Sequence, residues 1–269
     1  MFTLYSSLPA FLPLPIASMK EFDYEQLKKA TLDFSPSKIV GKGSHGCVYK
    51  RVLGDGQVVA IKKLSTGLQN LQDNSKLENE VSILSSLPNT TNLMSLFGTT
   101  HPDLVTNSVV LVMEFMPNGS LHDSLHANSS PTMLLSWSRR VKIALQLTKS
   151  LQFLHSLKPK VVHRDVKSAN VLFDKDWNAK LGVFGLAVRL NEGDNNQVNS
   201  VSRPAGTIRY LDPCCTTPCM LSSRNDVFSV GVVLLEIITG QKAIDASRSR
   251  TCIVDWALPL IETKIWVEF

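Results

Sequence analysis

The chain has 269 residues, a net charge of +5, 43% hydrophobic and 19% charged residues, so a packed core is within reach and global disorder is excluded. Acids and bases are interspersed with no arginine-rich stripe, which argues against nucleic-acid binding. The five cysteines are odd in number and scattered, as in a reducing compartment. Cys214, Cys215 and Cys219 lack a second paired cluster and a nearby His, and do not make a zinc site.

Residues 1–21 read as a leader without packed structure. They are apolar, but Pro9, Pro13 and Pro15 break any helical run and no basic segment precedes it. Phe at position 2 excludes N-myristoylation. A short helical lead-in is expected over Phe22–Phe34, within residues 22–36. From Ile39 to Lys63 apolar residues alternate and glycines mark turns, the pattern of twisted antiparallel strands, with Asp55-Gly56 as a hairpin turn. Asn74–Leu87 reads as a helix, and Leu93–Phe97 and Val109–Phe115 as strands. Beyond Pro117-Asn118-Gly119 the pattern turns helical. A long helix over Ser136–His155 places Trp137, Val141, Ala144, Leu145, Leu147, Leu151 and Leu154 at helical spacing. A further helix is expected over Asp226–Thr239. Its apolar run, Val227–Ile238, is too short to span a bilayer and is interrupted by Ser229 and Glu236. The expected plan is an α+β bilobal chain. A small β lobe covers 37–116, a hinge lies at Glu114–Pro117, and a larger helical lobe covers 117–269.

Three motifs stand in order on this plan. Gly41-Lys42-Gly43-Ser44-His45-Gly46-Cys47-Val48 lies between strands, where glycines let a hairpin lie flat against phosphates. Lys62, in Val59-Ala60-Ile61-Lys62, is a compact cation on the third strand and needs an anionic partner to hold it. Glu80, eighteen positions on (80 − 62), is preferred to Glu78 because Leu77, Val81 and Leu84 define the packed face beside it. His163-Arg164-Asp165-Val166-Lys167-Ser168-Ala169-Asn170 fits a phosphoryl-transfer catalytic loop. There Asp165 would accept the proton of a substrate hydroxyl, Lys167 would neutralise the transferring phosphoryl group, and Asn170 would ligate a Mg²⁺.

These motifs, with FDYEQLKKAT, LVMEFMPNGSL, VVHRDVKSANVLFD and DVFSVGVVLLEIITG, resemble the plant receptor-like serine/threonine protein kinases, including cytoplasmic members, from about Phe22 onward. The resemblance implies ATP as cofactor. It places Gly41, Lys42, Gly43, Ser44, Gly46, Val48, Ala60, Lys62, Met113, Glu114, Met116 and Leu172 around the nucleotide. It implies an apolar spine of Leu84, Leu96, His163 and Phe184, a brace at Asp226, a substrate groove at Thr207, and an activation segment holding Ser200 and Ser202. Lys167 implies serine/threonine specificity. Receptor-like kinases or other signalling proteins are the implied partners. The implied site is cytoplasmic, at the plasma membrane only through a partner.

Departures from the pattern set the functional expectation. Val183-Phe184-Gly185 stands where the family has Asp-Phe-Gly, so a metal-binding carboxylate is lost, Mg²⁺ is doubtful and ATP binding is expected to be weak. Cys214 follows Pro213 where the family has Glu, its arginine partner lies beyond Phe269, and Arg209 replaces a usual glycine. A strongly impaired kinase or pseudokinase with an incomplete large lobe is the expectation. An active kinase tolerating Val183 and a non-functional fragment are the alternatives.

Overall fold

The alternation around Lys62 becomes a two-faced strand. The structure, a computed structural model, describes residues 19–43, 46–63, 71–101, 109–126, 135–190, 205–213 and 221–263. Six strands form one sheet: β1 (Lys20–Phe22), β2 (Ile39–Gly43), β3 (Gly46–Val52), β4 (Val58–Lys63), β5 (Leu96–Thr100) and β6 (Val110–Glu114). Their order is β1-β5-β6-β4-β3-β2, with β1 parallel to β5 and the rest antiparallel. On one face Val59, Ile61, Val110 and Val112 pack under Leu27, Phe34 and Tyr49. On the other, Leu111 and Met113 join the main core with helix α2 (Leu71–Ser86), as the period of two requires. The Asp55-Gly56 turn is present: Gly56 has φ +83°, and its N–H donates to the Leu53 carbonyl at 2.9 Å.

Several expected boundaries move, each for a local reason. The lead-in helix is shorter, α1 (Tyr24–Ala30), because the Asp23 carboxylate caps it by accepting from the Gln26 N–H at 2.7 Å. Lys20 and Glu21, expected in the leader, form the edge strand β1 against Gly98 and Thr99. The motif Lys-Glu-Phe has no alternation to betray it, since its pairing is made by main chain. The strand expected at Leu93 begins at Leu96. Leu93 and Met94 are instead buried beside Leu181, whose carbonyl accepts the Met94 N–H at 3.0 Å. Helix α2 begins three residues before the expected Asn74.

Gly98 makes β1 possible. A Cβ there would lie 1.8 Å from the Lys20 carbonyl oxygen, a backbone atom that cannot give way. Gly98→Ala is therefore expected to strip β1 from the sheet, at about 1–2 kcal/mol for the lost main-chain bonds. A lower urea midpoint with faster amide exchange at Lys20–Phe22 is the expected result; unchanged exchange there would refute it.

The helical lobe contains α3 (Leu121–His126), α4 (Trp137–Ser156), α5 (Ser223–Thr239) and α6 (Ile253–Glu262). Two short ladders accompany them, β7 (Lys160–Val162) with β10 (Val188–Leu190), and β8 (Val171–Phe173) with β9 (Ala179–Leu181). Helix α4 starts on its Ser136 cap and buries only part of the expected set: Leu147, Leu151 and Leu154, with Ala144 packed beside them. Ile143 is buried with them, while Trp137, Val141 and Leu145 are exposed. Two residues of offset turn a helix by roughly 200°, so the two apolar rows lie on nearly opposite sides. A capping box of Ser222 and Asn225 starts α5 earlier than Asp226, and Gly240 at φ +71° ends it. Its Val230, Val232, Val233 and Ile237 are buried, and α6 contributes Ile253 and Ala257 to the same lobe's core. Val227 and Ile238 are exposed.

Candidate active site

The loop from His163 to Asn170 runs between β7 and β8 and is fixed mainly from below. Asp226, with no exposed surface, accepts the N–H groups of His163 and Arg164, both at 2.8 Å, and lies 2.9 Å from His155 Nε2. The His163 ring is fully buried, which holds its pKa below the ordinary value despite nearby carboxylates. In its neutral form Nε2–H donates to the Gly182 carbonyl at 3.1 Å and Nδ1 accepts the Asp165 N–H at 3.3 Å. The imidazole also meets the Phe184 ring edge-on, centroids 4.8 Å apart. Leu84, Leu96 and Phe184 share one buried cluster, so the expected spine residues come together.

Asp165, 4% exposed, is held by three side chains. Its Oδ1 accepts from Thr207 Oγ1 at 2.7 Å, and its Oδ2 lies 2.9 Å from Lys167 Nζ and from Asn170 Nδ2. Lys167 Nζ also donates to Thr207 Oγ1 at 2.8 Å. Burial pushes the Asp165 carboxyl up, but the bonds and charge from Lys167, Thr207 and Asn170 outweigh it and leave its pKa lowered. Catalytic loop and expected substrate groove thus meet on one ionised carboxylate.

Between the lobes, Lys62 Nζ and Glu80 Oε2 form a buried ion pair at 2.5 Å, which decides between Glu80 and the exposed Glu78. The other oxygen of Glu80 accepts the Phe184 N–H at 3.3 Å. Asn79, absent from the sequence reading, donates from Nδ2 to the carbonyls of Phe184, Gly185 and Ala187 at 3.3, 3.2 and 2.8 Å. Only its place between the two weighed glutamates could have drawn attention to it. Val183 sits between two anchored neighbours, since the Gly182 N–H also donates to the Asn170 carbonyl at 3.0 Å. Its φ is +65°, a left-handed conformation that Asp and Asn tolerate and a β-branched side chain resists. The backbone keeps a shape suited to a carboxylate residue while the side chain offers no oxygen.

Most of the residues expected at the nucleotide fall on β2, β3, β4, β6 and β8. Gly43 pairs with Gly46 and Gly41 with Val48 in the β2–β3 hairpin, and Lys42 is exposed; Ser44 lies outside the described residues. Ala60 pairs with Met113 across β4 and β6, Val48 with Lys62, and Leu172 with Lys180. Met113 is buried and Met116 packs against the same core. The Glu114 carboxylate pairs with Lys180 at 2.6 Å. Ser200, Ser202, Cys214, Cys215 and Cys219 also lie outside the described residues.

A second polar cluster escaped sequence reading. Glu236, with no exposed surface, accepts from Tyr210 Oη at 2.9 Å and from Ser168 Oγ at 3.2 Å, and lies 3.0 Å from His126 Nε2. Burial, then the Glu236 charge, keeps the Tyr210 phenol protonated well above its usual pKa. A glutamate inside Val-Val-Leu-Leu-Glu-Ile-Ile was the available signal, because a charge in an apolar run needs buried partners.

A two-lobed chain with a strand lysine paired to a helix glutamate, above a braced His-Arg-Asp loop, defines the protein kinase class. The protein kinase domain profile matches residues 34–258, and the chain belongs to that family. It is 46% identical to a serine/threonine-protein kinase-like protein of Arabidopsis thaliana, over 91% of this chain and 72% of that one. A second such protein is 45% identical over 91% of this chain and 52% of its own length. A proline-rich receptor-like protein kinase of the same plant is 41% identical, over 91% of this chain and 33% of that one. The chain therefore spans between a third and about three quarters of these relatives. Among the described residues no helix is long and apolar enough to cross a membrane.

Proposed function

We propose that this chain is a nucleotide-binding kinase domain of serine/threonine type, strongly impaired in phosphoryl transfer, that acts as a pseudokinase in receptor-like kinase signalling in the cytoplasm. Val183 is the observation that carries the proposal. Residues for a nucleotide are present: the Gly41–Gly46 hairpin, Lys62 held by Glu80, and Ala60 opposite Met113. ATP supplies the γ-phosphoryl group in this family. Lys62 would bind its phosphates, Asp165 would take the hydroxyl proton, and Lys167 would offset the developing charge. Residues for Mg²⁺ do not fit. Such sites rely on one or two carboxylates plus phosphates. Position 183 supplies none, and both oxygens of Asp165 are engaged by its neighbours.

ATP is therefore expected to bind weakly and to raise the unfolding temperature by the same small amount with or without Mg²⁺. A large Mg²⁺-dependent stabilisation in a thermal-shift titration would overturn the reading. The alternative, an active serine/threonine kinase, is favoured by the assembled Lys62–Glu80 pair and the Asp165–Lys167–Thr207 contacts. Transfer of phosphate to a generic basic protein by the unmodified chain separates the two.

A further inference from the structure

We propose that His122, His126 and Glu236 form a divalent transition-metal site, suited to Zn²⁺, behind the catalytic loop. The two histidines stand four apart on α3, so their rings share one face. They meet edge-on with centroids 4.9 Å apart. Glu236 reaches them from α5, and one donor atom from each of the three residues lies within 4.8 Å of the others.

One ligand pair already stands at tetrahedral separation, and His122 would close in from within 4.8 Å. Zn–N bonds of about 2.0–2.1 Å at tetrahedral angles put neighbouring donors roughly 3.3 Å apart. His126 Nε2 is 3.0 Å from Glu236 Oε1, Glu236 Oε1 is 3.2 Å from Ser168 Oγ, and Ser168 Oγ is 3.5 Å from His122 Nδ1. Ser168 Oγ, which donates to Glu236 Oε1, borders the cluster, and the fourth position would fall to a water. His126 binds through Nε2 once its proton sits on Nδ1, and Glu236 brings the negative charge. Two imidazoles and one carboxylate select zinc over Mg²⁺ or Ca²⁺, which prefer all-oxygen sets. Tyr210 continues to donate to the other oxygen, Glu236 Oε2. The ion would tie α3 to α5 directly beneath Ser168 of the catalytic loop. The site is separate from Asn170 and Val183, so it stands whether or not the chain transfers phosphate.

The test is titration of the whole chain, free of nucleotide, with Co²⁺ and then Zn²⁺. The expected result is one Co²⁺ per chain with the d–d absorption of a four-coordinate ion and no thiolate charge-transfer band, displaced by Zn²⁺. Losing an outer-shell partner already costs 10–100-fold in affinity, so removing a ligand should weaken binding by at least ~10-fold. His122→Ala is read first because His122 is only half buried. His122→Asn is read alongside as the milder change, both with circular dichroism to confirm the fold. Unchanged binding in the folded variant, a thiolate band marking a cysteine site, or no four-coordinate Co²⁺ in the native chain would each overturn the proposal. That last outcome would leave the cluster as a hydrogen-bonded brace around Glu236.

Discussion

Val183→Asp is expected to raise phosphoryl transfer by at least ~10²-fold over the unmodified chain, and Val183→Asn is expected not to. Catalysis of this reaction is mostly positioning and charge stabilisation, and the metal ions are a large part of that charge. Removing a single preorganised donor from a transition state costs roughly 10²–10³ in rate. Restoring a metal-holding carboxylate should return at least that much, because the remaining parts are assembled: Lys62 on Glu80, and Asp165 against Lys167, Asn170 and Thr207. Asn at 183 separates chemistry from strain. Both replacements fit φ +65° better than valine does. Relief of a left-handed β-branched residue is worth about 1 kcal/mol. Val183→Asn should therefore raise the denaturation midpoint while leaving activity low. Val183→Asp should raise activity in a Mg²⁺-dependent way. Robust transfer by the unmodified chain, abolished by Asp165→Asn, would overturn the pseudokinase reading. Equal activity in the Asn and Asp variants would show that strain, not the missing carboxylate, limits the chain.

Much of this site was legible because it is written in contiguous strings. His163 to Asn170 holds its loop residues within eight positions, and Lys62 follows the apolar run Val58–Ile61 of its strand. Glu80 could be preferred to Glu78 because helix periodicity marks which glutamate shares the buried side. What stayed hidden was assembled from distant positions. Asn79 reaches carbonyls more than a hundred residues away, and main-chain acceptors leave no residue type to read. Glu236 meets His126 across 110 positions. The apolar set read for α4 mixed two rows: Leu147, Leu151 and Leu154 are covered, Trp137, Val141 and Leu145 are not, and only the neighbouring β9 and α5 decide between them. Edge strand β1 was invisible for a similar reason, since its register depends on the absence of a side chain at Gly98.

Asp226→Ala is expected to destabilise the chain by about 3–5 kcal/mol, the cost of breaking a buried charged network by removing one member. The size follows from what Asp226 leaves behind. Its two oxygens, themselves without exposed surface, satisfy the N–H groups of His163 and Arg164 and face the partly buried His155 ring. Each buried donor left without an acceptor costs roughly 1–3 kcal/mol. Arg164 adds to the load, because its φ of +67° is a left-handed conformation held by its surroundings. With a typical domain stability of about 5–15 kcal/mol, a loss of this size removes a large share. Asp226→Asn should fall between the two. One amide oxygen can still accept, but the NH₂ group is set against a donor wherever it points. In urea denaturation the midpoints should rank wild type, Asn, Ala, and amide exchange at His163 to Asp165 should accelerate in the same order. The catalytic loop should loosen before the sheet does, since the bonds lost lie under that loop and not under β1–β6. An Ala variant within about 0.5 kcal/mol of wild type, the range of an ordinary surface change, would show that the loop is held from above by Asp165 and Thr207 instead.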